Sequence, residues 1–247
     1  MLKGLYTSAL SMAYLTKQQE ISSNNLSNSN TPGYKKENAI SKSFPEMLLY
    51  RLNDPSVGGD KPPYVGKLTM GVQLADIVTS YTSGTTQQTG NPLQLALMDE
   101  GYFTVNTPQG ERYTRNGEFN ISPDGSLVTT DGYTVMGNKG PIVIIGGEFA
   151  VDEQGRIVSG GREVDKLRIV NFAEDPVKEG STLFRGANPE ELFTSKVAQG
   201  FIESSNADSI EEMANMINIS RAYEANQKAI QTQDGTLEKA VNEIGRL

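Results

Sequence analysis

The sequence has no cysteine, no histidine and no tryptophan in its 247 residues. Without cysteine and histidine, the chain cannot form a disulfide, a thiolate or imidazole metal site, a thiol nucleophile or a Ser-His-Asp triad. Catalysis would have to depend on carboxylates, lysine, tyrosine or a metal held by oxygen ligands. The composition therefore excludes most common enzyme sites, and we expect no cofactor.

Positive charge is also scarce, because 22 Lys and Arg residues stand against 30 Asp and Glu residues and give a net charge of -8. No basic cluster stands out, so we expect no binding to nucleic acid or to an anionic membrane surface. No apolar run approaches the roughly 18 residues of a membrane-spanning helix, so we expect no membrane insertion. Thr7, Ser8 and Ser11 interrupt the first apolar stretch, which predicts that no signal peptide is cleaved.

The first 34 residues have the spacing of a helix that ends in a turn. Two rows repeat every seven residues and become polar in their second half: Leu5, Met12, Gln19 and Leu26, beside Leu2, Ala9, Thr16 and Ser23. An amphipathic helix packed on its own domain would also show this period. Residues Ser22–Asn30 are almost all Ser and Asn, whose side chains compete for backbone hydrogen bonds, so this helix needs external contacts. The run Thr31–Tyr34 has Pro second and Gly third, which is typical of a type II turn.

The C-terminal zone carries another row of positions spaced by seven. Its members are Met216, Tyr223, Ile230, Leu237 and Ile244. We expect this helix to begin at Ser209, because Ser209 and Glu212 have the spacing of a capping box. Polar residues such as Asn226 occupy the rows beside the seam. A surface helix with a narrow apolar stripe would explain the pattern, and so would a helix that packs against several neighbours and uses polar positions to set register.

The long middle of the sequence has the alternation and turns of β structure. Dense strand-forming runs are separated by turn pairs, among them Asn116-Gly117 and Asp131-Gly132. Such a pair between alternating runs predicts a hairpin, because both central residues of a type I′ turn need φ > 0. Earlier in the chain, Val72–Thr79 is predicted as a strand, whereas the Gly- and Pro-containing run Asn53–Gly66 predicts little regular structure.

These patterns predict an α+β protein in which the N- and C-terminal helices pair in a coiled-coil-like bundle around an inserted antiparallel β domain. We expect five segments: 1–34, the N-terminal helix of the bundle; 35–89, an extended connector; 90–185, the β domain; 186–208, a return connector; and 209–247, the C-terminal helix of the bundle. Two helices alone bury few side chains, so neighbouring copies should complete the core. A head-to-tail interface between copies permits an open helical polymer.

Carboxylate pairs are the remaining route to hydrolysis. Asp99-Glu100 and Asp152-Glu153 are such pairs. Adjacent strand residues point to opposite faces, whereas glycosidase carboxylates must face one substrate, so we favour turn-forming or solvated acids. A secreted β-rich hydrolase using carboxylates and a monomeric β-rich adhesin are the alternatives to an assembly subunit.

Three stretches of the chain resemble the flagellar basal-body rod and hook proteins, the axial family of the bacterial flagellum. They occur in the family's order: ISSNNLSNSNTPGYK near the N-terminus, GYFTVNTPQGERYTRNGEFNISPDGSLVTTDGYTVMG in the middle, and a C-terminal stretch that contains RAYEAN at residues 221–226. The β segment resembles that of the two larger rod proteins, which belong to the distal and the proximal rod. The resemblance covers both ends and the β segment.

The resemblance implies a non-enzymatic structural subunit of the flagellar basal body that polymerises helically and transmits torque from motor to hook. It implies three kinds of partner: further copies of the chain, other rod and hook subunits, and the flagellar type III export apparatus. Together with the seams, it predicts an assembly interface on the two helices and the N-terminal motif. The residues assigned to it are Leu2, Leu5, Ala9, Met12, Asn24, Asn25, Leu26, Asn28, Gly33, Tyr34, Met216, Arg221, Tyr223, Asn226, Ile230, Leu237 and Ile244.

Overall fold

The computed structural model describes residues 2–50, 64–144, 149–192 and 195–244. They fall into two compact units. We call the first the helix unit; it comprises the described parts of Met1–Asn24, Glu37–Val78 and Ile210–Leu247. We call the second the β unit; it comprises the described parts of Asn25–Lys36 and Thr79–Ser209. The predicted α+β class is confirmed, with a helix near each end and β structure between them.

Both predicted helices are present. The first, α1, spans Leu2–Ser27, and the second, α2, spans Ser209–Lys239 before a π-helical turn over Ala240–Ile244. α2 begins at the residue predicted to start it, and two glutamates in its first turn face the positive end of the helix dipole. α1 continues through most of the Ser- and Asn-rich run, although these residues favour helices poorly.

The helix unit also contains two small sheets. β1 (Glu37–Ser43) pairs with β4 (Val72–Thr79), and β2 (Glu46–Tyr50) pairs antiparallel with β3 (Tyr64–Thr69). The strand predicted at Val72–Thr79 is therefore confirmed. The expectation of little regular structure in Asn53–Gly66 is wrong for residues 64–66, which begin β3 and pair with β2. Residues 53–63 of that run lie outside the described residues.

The β unit is built from seventeen short strands within its described residues. In chain order they are β5 (Thr86–Gln88), β6 (Leu95–Leu97), β7 (Tyr102–Thr107), β8 (Gly110–Thr114), β9 (Phe119–Ile121), β10 (Leu127–Thr129), β11 (Thr134–Gly137), β12 (Gly140–Pro141), β13 (Phe149–Val151), β14 (Arg156–Ser159), β15 (Arg162–Lys166), β16 (Ile169–Asn171), β17 (Val177–Glu179), β18 (Leu183–Arg185), β19 (Glu190–Glu191), β20 (Val197–Gln199) and β21 (Phe201–Glu203).

The main sheet follows the order β17-β18-β8-β7-β11-β10-β9. β16 shares an edge of β7 with β11, because β16 pairs at Tyr102 and Phe103 whereas β11 pairs at Val105 and Asn106. β13, β14 and β15 form a separate antiparallel sheet. The late strands β20 and β21 pair with the early strands β6 and β5. After the main sheet, the chain therefore comes back to pair with strands that precede that sheet in the sequence.

The core of the β unit consists of buried side chains from these strands and from the short segments next to them. Its members are Leu95, Leu97, Phe103, Val105, Phe119, Leu127, Val135, Ile142, Ile144, Val151, Ile157, Leu167, Ile169 and Val197. A second, aromatic cluster contains Tyr102, Tyr113, Val170 and Phe184. Each large apolar side chain contributes roughly 1.5 to 3 kcal/mol when it is fully buried. Because all these side chains are buried by residues of the same chain, the β unit has a complete core within one chain.

The two predicted turn pairs have different outcomes. The hairpin at Asp131-Gly132 is confirmed, since it connects β10 to β11 and Gly132 has φ +85°. The type I′ turn expected there is wrong, because Asp131 does not have a positive φ. The hairpin at Asn116-Gly117 is wrong, because Glu118 instead bridges to Gln94 and Gly117 is not among the glycines with positive φ. A Cβ on Gly117 would lie 1.6 Å from the carbonyl oxygen of Leu95, so close backbone packing requires glycine there.

Candidate functional site

The two helices contact each other in an antiparallel arrangement within the helix unit. Near the start of α1, a Cβ on Gly4 would lie 2.5 Å from Nε2 of Gln233, late in α2. Later in α1 the facing residues come from earlier in α2, where six side chains line a groove of about 370 Å³: Leu15, Thr16, Gln19, Ile219, Ser220 and Tyr223. The helices are thus neighbours, and their coiled-coil pairing stays a prediction.

Most predicted interface residues on the helices are incompletely covered in a single chain. Seven are half-buried: Leu5, Met12, Leu26, Met216, Asn226, Ile230 and Leu237. Four others are exposed: Ala9, Asn24, Arg221 and Tyr223. The side chains of Leu2 and Ile244 lie outside the described set. Both helical seams therefore retain accessible apolar surface, and whether they meet other subunits stays a prediction.

The N-terminal motif is the stretch ISSNNLSNSNTPGYK, and its part from Asn25 onward belongs to the β unit. Asn25, Gly33 and Tyr34 are buried, and Asn28 is half-buried. The Tyr34 hydroxyl donates a hydrogen bond to Oδ1 of Asn25 at 3.0 Å. The ammonium of Lys178 lies 3.8 Å from the centre of the Tyr34 ring, a cation–π contact. Contacts within one chain therefore account for these buried motif residues, while their predicted role in assembly stays untested by a single copy.

The predicted turn at Thr31–Tyr34 is present and brings the motif close to another backbone segment. The N–H of Tyr34 donates to the carbonyl of Thr31 at 3.3 Å, and Gly33 has φ +68°. The N–H of Gly33 donates to the carbonyl of Glu203 at 2.8 Å. A Cβ on Gly33 would lie 2.3 Å from the backbone nitrogen of Asn116, so both conformation and space require glycine.

A buried charged cluster follows the turn. Lys35 is 1% exposed and Glu203 is 3% exposed. Nζ of Lys35 lies 2.6 Å from Oε1 of Glu203 and donates to the carbonyl of Thr82 at 2.9 Å. The same carboxylate oxygen accepts the N–H of Gly84 at 2.9 Å. Burial lowers the pKa of the Lys35 ammonium, while the charge and hydrogen bond of Glu203 oppose that shift.

Arg115 adds a second cation to this cluster. Its Nη1 lies 3.6 Å from Oε2 of Glu203 and donates to the carbonyl of Asp99 at 2.9 Å. Its guanidinium lies 5.7 Å from the centre of the Tyr102 ring. Burial raises the pKa of the Tyr102 hydroxyl to about 12, so this phenol stays neutral at physiological pH. The cluster joins the N-terminal motif to β21 and to the end of β8.

Sequence reasoning missed Lys35, Arg115 and Glu203. Lys35 and Glu203, which form the shortest ion pair of the cluster, are 168 residues apart in the sequence. Each is a single charge in a stretch without a periodic pattern that would indicate its burial. Lys35 stands at the end of the Asn-rich motif, and that position was the available clue. A buried charge needs a partner, but the burial of Lys35 becomes apparent only from the fold.

The carboxylate pairs considered for hydrolysis take part in local structure. Oδ1 of Asp152 accepts the backbone N–H groups of Gln154 and Arg156, and Oδ2 accepts Nε of Arg156 at 2.7 Å. Slight burial acts to raise the pKa of the Asp152 carboxyl. The hydrogen bonds from Arg156 and Gln154 outweigh it and hold that pKa below its usual range. Oδ2 of Asp99 accepts the N–H of Lys196 at 3.1 Å. These two acids therefore hold backbone groups of turns and loops.

No helix in the part of the chain that the structure describes is long and apolar enough to cross a membrane.

Three protein-family models match the chain in succession. Residues 5–35 match "Flagella basal body rod protein", residues 96–170 match "Flagellar hook protein FlgE/F/G D1 domain", and residues 198–243 match "Flagellar basal body rod FlgEFG protein C-terminal". The first match covers most of α1 and the motif, the second covers much of the β unit, and the third covers β21 and α2. All three stretches of the sequence resemblance therefore fall within matched regions.

Curated relatives match along nearly the whole chain. The chain is 32% identical to the flagellar basal-body rod protein FlgG of Bacillus subtilis, over 98% of this chain and 99% of that protein. It is 30% identical to the flagellar hook-basal body complex protein FlhO of the same species, over the full length of both. It is 31% identical to the flagellar basal-body rod protein FlgF of Rhizobium meliloti, over 98% of each chain. These matches do not favour a hydrolase or an adhesin.

Proposed function

The chain belongs to the flagellar basal-body rod protein family, and we propose that it polymerises helically within the rod and transmits torque from the motor to the hook. The family membership makes it a structural component of the flagellar basal body that associates with other rod and hook subunits. The proposal adds further copies of the same chain as partners. It also adds delivery by the flagellar type III export apparatus without a cleaved signal peptide.

The incompletely covered helical seams are the observation that carries this proposal. Leu5 and Met12 on α1, and Ile230 and Leu237 on α2, recur every seven residues and are only half-buried in one chain. A large apolar side chain gains roughly 1.5 to 3 kcal/mol when fully buried. Helices from neighbouring copies would complete this burial, and a seam that serves several neighbours uses its polar positions to fix register.

The motif buried in the β unit supports torque transmission in a different way. A subunit under torque must keep the chain that follows α1 anchored in a folded body. Tyr34 and Lys35 follow the turn after α1 and are held by Asn25 and Glu203 within the β unit. In this proposal Asn25, Gly33 and Tyr34 act through packing within the chain, and the accessible residues of the two helices act between subunits.

Replacing Ile230 with aspartate tests the proposal. A charge placed in a dry interface costs several kcal/mol unless it is paired, and in a polymer this cost recurs at every subunit. We expect Ile230→Asp to abolish concentration-dependent assembly, measured by light scattering and negative-stain imaging of the purified chain. In cells it should be exported and leave short rods and no motility, while the β unit melts normally.

Thr232→Asp is the matched control, because Thr232 is an exposed residue of the same helix outside the seam. This variant should assemble and support motility. Normal assembly and motility with Ile230→Asp would remove the seam from the mechanism. A wild-type chain that stays monomeric at every concentration would contradict the proposed polymerisation of this chain with its own copies.

A further inference from the structure

A small cavity lies in the β unit beside the aromatic cluster. Its volume is about 220 Å³, which is less than the roughly 300 to 1,000 Å³ of pockets that hold drug-sized ligands. The Tyr81 hydroxyl donates a hydrogen bond to the carbonyl of Pro176 and thereby ties two wall segments together. The walls come from five places in the sequence, all within the β unit: residues 81–83, 100–102, 115, 171–172 and 175–176. A ligand of only a few heavy atoms fits such a space.

Two buried side chains supply hydrogen-bond donors to this cavity. Arg115 is 6% exposed and Tyr102 is 7% exposed, and both line it. The guanidinium uses Nη1 for its contacts with Asp99 and Glu203, which leaves Nε and Nη2 as donors. The Tyr102 hydroxyl has no hydrogen-bond partner among the described residues. Because buried polar groups in proteins are nearly always paired, these donors point to a ligand that accepts hydrogen bonds.

The protonation of these groups suits an anionic acceptor. Arginine keeps its charge in proteins, and burial raises the pKa of the Tyr102 hydroxyl to about 12, so both groups can donate at neutral pH. Arg115 and Lys35 together face the single carboxylate of Glu203, so cations outnumber anions in the buried cluster. A carboxylate is the acceptor that matches an arginine and a phenol side by side.

Two further carboxylates restrict which anions can enter. Glu100 and Asp175 also line the cavity, and both are exposed. They repel a ligand that carries only negative charge, whereas they attract one that carries an ammonium group as well. The ring of Phe172, whose centre is 5.7 Å from that of Tyr102, adds apolar wall to the cavity. The arrangement of charges therefore favours a dipolar ion over a simple anion.

We propose that this cavity binds a small zwitterion, namely a free α-amino acid with a short side chain. Its carboxylate accepts hydrogen bonds from Arg115 and from the Tyr102 hydroxyl, and its ammonium group pairs with Glu100 and Asp175. Such a ligand gives the unused donors a partner and offsets the charge of the two exposed acids. The site lies wholly within the β unit and does not depend on assembly of the chain.

Isothermal titration calorimetry of the full-length chain tests the site, with L-alanine as the probe. We expect saturable binding of one L-alanine per chain. Acetate and methylammonium each carry one of the two charges, so each should bind at least about tenfold more weakly. The absence of saturable L-alanine binding would overturn the proposal. Binding of acetate as tightly as L-alanine would overturn it too, because the exposed acids would then select nothing.

Tyr102→Phe locates the binding and separates it from a structural role. The change keeps the ring and removes the hydroxyl, so the affinity for L-alanine should fall about tenfold. Stability in urea should not fall, because the lost hydroxyl has no partner in the free chain. Asp175→Asn should also weaken binding, since it removes one partner of the ammonium group.

Tyr113→Phe is the matched control for the loss of a phenol. Tyr113 is a buried tyrosine of the same aromatic cluster, but it is not among the residues that line the cavity. This variant should bind L-alanine as the wild-type chain does. Unchanged affinity in Tyr102→Phe, or an equal loss in Tyr113→Phe, would overturn the assignment of the cavity as the binding site.

Discussion

The β unit and the helix unit differ in how much of their structure one chain can complete. In the β unit, Phe103 and Leu127 are fully buried, and the strands pair around a continuous core. Along the described side chains of α1, Ile21 is the first that is buried, and the buried residues of α2 are Glu212 and Ile219. A chain with 36% hydrophobic residues thus concentrates its burial in one region. The other region keeps accessible apolar surface.

From Asn25 onward the N-terminal motif belongs to the complete region, although the helix α1 in which it begins belongs up to Asn24 to the incomplete one. Tyr34 and Lys35 are as thoroughly buried as the core of the sheet. The partners of Lys35 come from the loop at Thr82 and from Glu203 in β21. Burial of this motif depends on strands far along the chain, so it should be stable wherever the β unit is folded.

Hydrogen exchange of the dilute monomer should give the largest difference between the two units. Amides of the main sheet should open with nearly the global free energy of unfolding, about 5 to 15 kcal/mol for a folded domain. Amides of residues 3–24 should open with far smaller free energies, because half-covered helices have little tertiary support. Strong protection across residues 3–24 would mean that the helix unit is complete without partners. It would contradict the difference between the two units.

Glu203→Ala should cause the largest loss of stability among single substitutions. It leaves the ammonium of Lys35 buried without its carboxylate, and breaking a buried ion pair costs about 3 to 5 kcal/mol. Urea unfolding followed by β-sheet circular dichroism measures the loss. Glu111→Ala is the control, because its ion pair with Arg168 is partly exposed and should contribute at most about 1 kcal/mol.

A double variant isolates the interaction itself. Lys35→Met with Glu203→Gln replaces both charges by groups of similar shape and keeps an acceptor for the N–H of Gly84. We expect this double variant to be more stable than Glu203→Ala, with a coupling between the two sites in a double-mutant cycle. Losses from Glu203→Ala no larger than those from Glu111→Ala would show that the cluster does not hold the motif.

Gly117→Ala should cost about 3 kcal/mol through overpacking. Its new Cβ would lie 1.6 Å from the Leu95 carbonyl oxygen, and a paired backbone cannot move as cheaply as a flexible side chain. Gly33→Ala should destabilise by a similar amount, since its Cβ would lie 2.3 Å from the Asn116 nitrogen. Chemical denaturation of each variant measures these losses. A loss below about 1 kcal/mol for Gly117→Ala would mean that the two backbones separate easily.

The sequence predicted those parts of the molecule that depend on local periodicity or local turn chemistry. Seven-residue rows indicated both helices, and Asp131-Gly132 indicated a hairpin, because each signal acts over a few residues. Asn116-Gly117 gives the same local signal, yet its glycine meets Leu95 from another strand. The partnership of Lys35 with Glu203 depends on the whole β topology and leaves no local trace. Long-range packing, therefore, was what local patterns could not predict.

Gly132→Val should produce the smallest loss, and it separates backbone conformation from packing. No atom lies within 4 Å of a Cβ built on Gly132, so the side chain itself has room. The entire cost should come from φ +85°, which a β-branched residue adopts poorly, and should be about 2 kcal/mol. Gly132→Asn is the matched control, because asparagine tolerates the left-handed conformation, and it should lose only a few tenths of a kcal/mol. The melting temperatures of the two variants show whether the loss comes from the backbone conformation at position 132. If valine and asparagine are equally harmless, the turn does not depend on φ, and the contrast with the tightly packed Gly117 has to be explained by the strength of strand pairing instead.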